Sequence, residues 1–189
     1  MKLRILSVVG LFALVLVGCA PNIETVAEDH ELITALDVVG LDAQQAINQL
    51  DATALADRSP QVIASVRSDR LVVTNPDQSQ YTELLFDNDE FYLSIAPFIN
   101  VTHECYFHSL TTCVGELQNK TVNVTVTNVA TGVVVLSEER TTFDNGFLGL
   151  WLPRNSELTI EISYEGQIAV SVVHTAADSP TCITTMQLR

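Results

Sequence analysis

Thr121-Val122-Asn123-Val124-Thr125-Val126-Thr127 alternates valine with a polar side chain at every step. Successive side chains on a strand point to opposite faces, so this run has one apolar and one polar face. The same period of two recurs in Leu158, Ile160, Ile162 and Tyr164, and again in Ile168, Val170 and Val172. Upstream, Phe91, Leu93 and Ile95 alternate with Tyr92, Ser94 and Ala96. Turn residues at Ala130-Thr131-Gly132, Asp144-Asn145-Gly146 and Glu165-Gly166 separate these runs. Strands that are apolar on one face and joined by short turns form antiparallel sheets packed face to face. Residues 79–189 are therefore expected to form a β-sandwich of about seven strands.

From Ala20 to about Val66 the pattern is helical, and the turn cluster Asn75-Pro76-Asp77 marks the boundary. Leu32, Ile33 and Leu36 share a face, and Gly40 stands where a C-cap glycine belongs. Asp42 and Gln45 match a capping box, with Ala46, Ile47 and Leu50 as the apolar stripe behind it. Ser59-Pro60 reads as a third helix start, with Val62, Ile63 and Val66 on its buried face. The fold class is α+β, with a short helical region over residues 19–78 followed by the β-rich part over 79–189. Helices this short need a surface to pack on, in this chain or in another copy of it.

The chain of 189 residues carries 23 acidic and 9 basic groups, a formal charge of −14. That balance argues against nucleic acid, which needs clustered Lys or Arg. Residues 1–18 begin with Lys2 and Arg4 and continue into an apolar run from Ile5 to Val17, too short to span a bilayer comfortably. They read as a secretion signal. Leu16-Val17-Gly18-Cys19 resembles the lipobox of bacterial lipoproteins, in which Cys19 is lipidated and becomes the N-terminus. The expected location is extracytoplasmic, lipid-anchored to a bacterial membrane, where disulfides persist.

Chemistry concentrates in Thr102-His103-Glu104-Cys105-Tyr106-Phe107-His108-Ser109-Leu110-Thr111-Thr112-Cys113. If the first part is extended, His103 and Cys105 point to one side, and a turn after His108 brings Cys113 back to Cys105. Cys182, on the last apolar stretch, is the third thiol. Three readings follow. One is a disulfide with a free thiol left over; a Cys113–Cys182 bridge closing a loop of about 70 residues is worth roughly 4 kcal/mol. The second is a metal site, in which three thiolates beside imidazole suit Cu(I), with zinc as the alternative. The third is a redox enzyme, for which no Cys-x-x-Cys speaks. His174 continues the face of Ile168, Val170 and Val172 and reads as a core histidine. Met186 reads as core filler and His30 as solvated. G-x-S-x-G, H-E-x-x-H and phosphate-binding glycine loops are absent from the sequence.

The spacing His-x-Cys-x₂-His-x₄-Cys is accompanied by Tyr92-Leu93-Ser94-Ile95-Ala96-Pro97, Gly115-Glu116-Leu117, Leu150-Trp151-Leu152-Pro153-Arg154 and Thr181-Cys182-Ile183-Thr184-Thr185. From about Leu41 to its end, the chain resembles the CueP family of periplasmic copper-binding proteins. The resemblance implies sequestration of Cu(I) by Cys105, Cys113 and Cys182, with His103 and His108 nearby. It also implies copper resistance or delivery to a copper enzyme, and a homodimer formed through the helical part. A disulfide-stabilised envelope scaffold and a copper-dependent metal reductase are the rival readings. The lipobox departs from a freely diffusing periplasmic protein.

Overall fold

A computed structural model describes residues 31–189. The signal segment, Cys19 and His30 lie outside the described residues. Residues 31–35 are helical. Asp37, not Gly40, ends that helix in the left-handed conformation (φ 56°). The N–H of Val38 reaches the carbonyl of Ile33 (3.3 Å) and that of Asp37 the carbonyl of Thr34 (3.0 Å), the two bonds of a Schellman ending. Gly40 (φ 79°) serves the next turn, closed by Leu41 N–H on Val38 O at 3.2 Å. Helix α1 (Ala43–Ala52) has the expected capping box: Asp42 Oδ1 accepts from Gln45 N–H at 2.8 Å, and Gln45 Oε1 accepts from Asp42 N–H at 3.2 Å.

The third expected helix is a strand. β1 (Ile63–Val66) pairs antiparallel with β2 (Arg70–Thr74), which pairs with β3 (Tyr81–Leu85). Val62, Ile63 and Val66 have helical spacing, but Val62, Ala64 and Val66 alternate and are the residues buried. In so short an apolar run both periods fit, and the β-branched side chains together with the β2 partner favour the strand. Asn75-Pro76-Asp77 begins the turn between β2 and β3.

Two further sheets form the expected sandwich. One has the order β10-β4-β7: β4 (Glu90–Ile95) lies antiparallel to β7 (Leu148–Pro153) and parallel to β10 (Cys182–Ile183). The other is antiparallel in the order β6-β5-β8-β9, from β5 (Thr121–Asn128), β6 (Val134–Thr141), β8 (Glu157–Tyr164) and β9 (Gln167–His174). Glu165 and Gly166, both at positive φ, make the tight β8–β9 turn. Phe91, Leu93 and Ile95 from β4 and Leu148, Leu150 and Leu152 from β7 meet Val122, Val124, Val126, Leu158, Ile160 and Ile162 in the main core. Met186 is buried there too, as expected of filler.

On β9 the expected face is inverted. Ile168, Val170 and Val172 are 49%, 60% and 53% exposed, while Ala169 and Val173 are 5% exposed. The pairing decides this: Ala169 lies opposite Ile162 and Val173 opposite Leu158, whereas Val170 and Val172 face Glu161 and Thr159. His174, opposite Glu157, is consequently exposed and not a core histidine.

The middle sheet has two working faces. Tyr92, on the reverse of β4, joins a second core with Ala46, Ile47 and Leu50 of α1 and with Val66, Leu71 and Val73 of the first sheet. Gly149 on β7 makes this possible. A Cβ there would overlap the Tyr92 hydroxyl and lie 2.6 Å from Cζ. Among the described residues no helix is long and apolar enough to cross a membrane.

Candidate metal centre

Residues 101–120 form no named strand, and this long segment carries four of the five expected site residues. It is irregular where the sequence suggests an extended run, but it is tied down. The N–H of Val66 bonds His108 O and the N–H of Leu110 bonds Ala64 O, both at 2.8 Å, which stitches residues 108–110 to β1. The N–H groups of Thr181 and Cys182 bond Tyr106 O at 3.0 and 3.2 Å, and Thr181 Oγ1 receives His108 N–H at 3.1 Å. Cys182 is thus placed by β10 on one side and by the 105–108 loop on the other.

Glu116 anchors the approach to His103. Its carboxylate accepts N–H bonds from Ile99 (2.7 Å), Asn100 (2.8 Å) and Val101 (3.2 Å) and one from Asn100 Nδ2 (3.0 Å). Desolvation opposes the charge, but these donors outweigh it and pull the carboxyl from 4.5 down to about 2. A depressed carboxylate stabilises the fold fully above its unfolded value, and that support is lost as pH falls through about 2. Glu116→Gln is expected to cost about 1–2 kcal/mol at neutral pH and to speed amide exchange at residues 100 and 101. Denaturation curves of the two proteins should converge as the pH approaches 2.

The chain turns back after His108 as expected. Cys113 N–H bonds Ser109 O at 3.1 Å, and Ser109 N–H points at Cys113 Sγ, 3.4 Å away. Cys113 Sγ lies 3.7 Å from Cys105 Sγ. Cys105 and Cys182, 77 residues apart in sequence, are joined as a disulfide with Cα atoms 5.7 Å apart. Among the described residues Cys113 is the free thiol. The bridge is therefore not the Cys113–Cys182 pair weighed from sequence, because the parallel β10–β4 register and the Tyr106 clamp deliver Cys182 to Cys105.

All five expected residues converge. Ligand atoms of His108, Cys113 and Cys182 lie within 4.8 Å of one another, and so do those of His103, Cys105 and Cys113. His108 and Cys182 are buried while Cys105 and Cys113 are half-buried, so the cluster opens from core to surface. Buried Phe147 walls it, its ring 4.5 Å from that of His108 and 6.1 Å from that of His103. An open cleft lined by Val101, Thr102, His103, Thr112, Cys113 and Val114 leads to Cys113.

One residue of the neighbourhood was not singled out from sequence. Asp51, on the buried stripe of α1, has its carboxylate fully enclosed. Its oxygens accept from Tyr92 Oη (2.5 Å), Asn145 Nδ2 (3.0 Å) and His108 Nε2 (3.1 Å). The legible signal is an acid four residues after Ile47 and next to Leu50, on a face that is otherwise apolar. Burial opposes charge on Asp51, but His108 beside it holds the carboxyl below its usual range. Burial likewise opposes charge on His108, and Asp51 outweighs it, raising the imidazole from 6.5 to about 9. Burial pushes the Cys113 thiol up, yet hydrogen bonding and the charge of His108 bring it below its ordinary value. Burial and the Asp51 charge drive Tyr92 well above 10, so its hydroxyl stays a donor.

No curated protein matches the chain. The profile of the family described as "Periplasmic copper-binding protein CueP" matches residues 45–187. A solved structure described as "Crystal Structure of S.CueP" is 36% identical and superposes with a TM-score of 0.77, covering 90% of this chain and 100% of that one. A profile match over most of the sequence and a fold shared along the whole of that relative have one explanation, which is that this chain belongs to the CueP family.

Proposed function

We propose that this protein sequesters Cu(I) outside the cytoplasm through the sulfurs of Cys105, Cys113 and Cys182, with His103 and His108 beside them. The reading is carried by one observation: three sulfurs and two imidazoles from distant stretches of chain meet at a half-buried point. Thiolates are soft donors and suit Cu(I), whereas zinc would accept the same groups as a fourfold site. The binding form is the reduced one, because Cys105 and Cys182 offer no thiolates while joined. A dithiol reductant supplies the two electrons and two protons that turn the disulfide into two thiols, and is itself left as a disulfide. Metal binding then displaces protons from the cysteines. Ser109 N–H and His108 already favour the Cys113 thiolate, so this sulfur is the natural first contact for an ion entering by the cleft.

In the same reading Cys19 carries a lipid that holds the protein at a membrane. The N-terminal region pairs two copies, and the protein serves copper resistance or passes copper to an acceptor enzyme. A second reading, a disulfide-stabilised envelope scaffold, is favoured by the Cys105–Cys182 bond itself.

Thiol titration separates the two. Freshly isolated protein, mildly reduced and kept from air, is expected to show three reactive thiols. About one Cu(I) per chain should protect them together. A scaffold would resist mild reduction, show one thiol and ignore copper.

A further inference from the structure

We infer that Asp51 is the positioning residue of the site: it holds Nε2 of His108 from behind and so leaves Nδ1 as the ring nitrogen facing the sulfurs. The inference rests on the copper reading above and assigns His108 its ligand atom. His108 Nε2 is 3.1 Å from Asp51 Oδ1, and Nδ1 is 3.9 Å from Cys182 Sγ. An ionised carboxylate only accepts hydrogen bonds, so the proton between them belongs to Nε2. That nitrogen is thereby occupied, so Nδ1, once an incoming metal displaces its proton, is the ring nitrogen with a lone pair to offer. Phe147, its ring 4.5 Å away and tilted by 43°, leaves the imidazole little room to turn over.

The support behind Asp51 is what a fully buried carboxylate on an otherwise apolar stripe requires. A buried charge is expensive unless its oxygens are bonded, and an apolar residue at this position would leave Tyr92, Asn145 and His108 without the acceptor they share. Besides His108, two parts of the fold converge on it. Tyr92 donates from β4, Asn145 from the turn before β7, and Ser94 Oγ stands 3.5 Å away. Gly149 leaves the space that the Tyr92 hydroxyl occupies. The cage fixes the carboxylate, and the carboxylate fixes the imidazole, as in the carboxylate–histidine–metal arrangements that tune affinity from outside the ligand set.

The test uses Asp51→Asn and Tyr92→Phe in reduced full-length protein. Nitrogen-resolved proton NMR of the metal-free form reads the His108 Nε2–H. A Cu(I) competition titration with a colorimetric chelator reads affinity. Wild type should show a downfield, slowly exchanging Nε2–H. Asp51→Asn should lose that signal and bind Cu(I) about 10–100-fold more weakly, with Tyr92→Phe showing a smaller change in the same direction. If Asp51→Asn does not fold, Tyr92→Phe decides: a shifted signal with weaker copper supports the inference, and no change in either overturns it. Unchanged affinity in a folded Asp51→Asn protein overturns it as well. Wild-type protein that takes up no Cu(I) defeats the copper reading instead, a result visible before any variant is made.

Discussion

Cys113→Ser should abolish tight Cu(I) binding while leaving unfolding stability within about 1 kcal/mol, whereas Cys182→Ser should damage both. A hydroxyl is a hard, weakly acidic donor, so each substitution removes one of three soft ligands, and affinity should fall by at least about a hundredfold. Stability separates the two because only Cys182 is in the disulfide. That bond closes a loop spanning 77 positions, worth about 4.5 kcal/mol in the chain-entropy treatment. Losing it should lower the melting temperature of the oxidised protein by roughly 10–15 °C. Cys113 is half-buried, and its substitution leaves the bridge intact. Thermal melts with and without reductant, beside chelator competition for Cu(I), measure both quantities. A Cys113→Ser protein that keeps wild-type affinity would remove Cys113 from the site.

Gly149→Ala should be the most destabilising single methyl group in the middle sheet, at about 3–5 kcal/mol. Its Cβ would occupy the Tyr92 hydroxyl position and press on ring atoms at 2.6 and 2.9 Å. Neither side can give way cheaply. Gly149 lies in β7, paired opposite Ser94, and Tyr92 is fully packed, its ring 4.8 Å from that of Trp151. If Tyr92 moves, Asp51 loses its shortest hydrogen bond and stays buried with an under-bonded charge. Tyr92→Phe in the Gly149→Ala background should recover part of the loss, because the worst of the clash is with the hydroxyl. Urea denaturation of the two single variants and the double variant would show this as non-additivity. Purely additive losses would mean that the two positions do not share a constraint.

The sandwich was legible because period two reports strands directly, and the β5 and β8 runs keep their apolar faces inward as read. The β9 face was not legible. Alternation says that two faces differ, but Ile168-Ala169-Val170-Ser171-Val172-Val173 has apolar residues on both, and only its pairing with β8 chooses. The Ile63–Val66 strand was hidden for a related reason: a run of four residues fits either period until β2 lies beside it.

For the site, the residue types alone determined which side chains to watch, because soft sulfur beside imidazole is a chemistry readable without coordinates. His103, Cys105, His108, Cys113 and Cys182 do gather. What the tertiary structure alone decided is which cysteines bond and what stands behind His108. Cys182 meets Cys105 because β10 lies parallel to β4, and Asp51 reaches His108 because α1 packs over the reverse face of that same strand. These are contacts between residues 57 and 77 positions apart. Local periodicity carries no information at that range; the packing of the middle sheet supplies it.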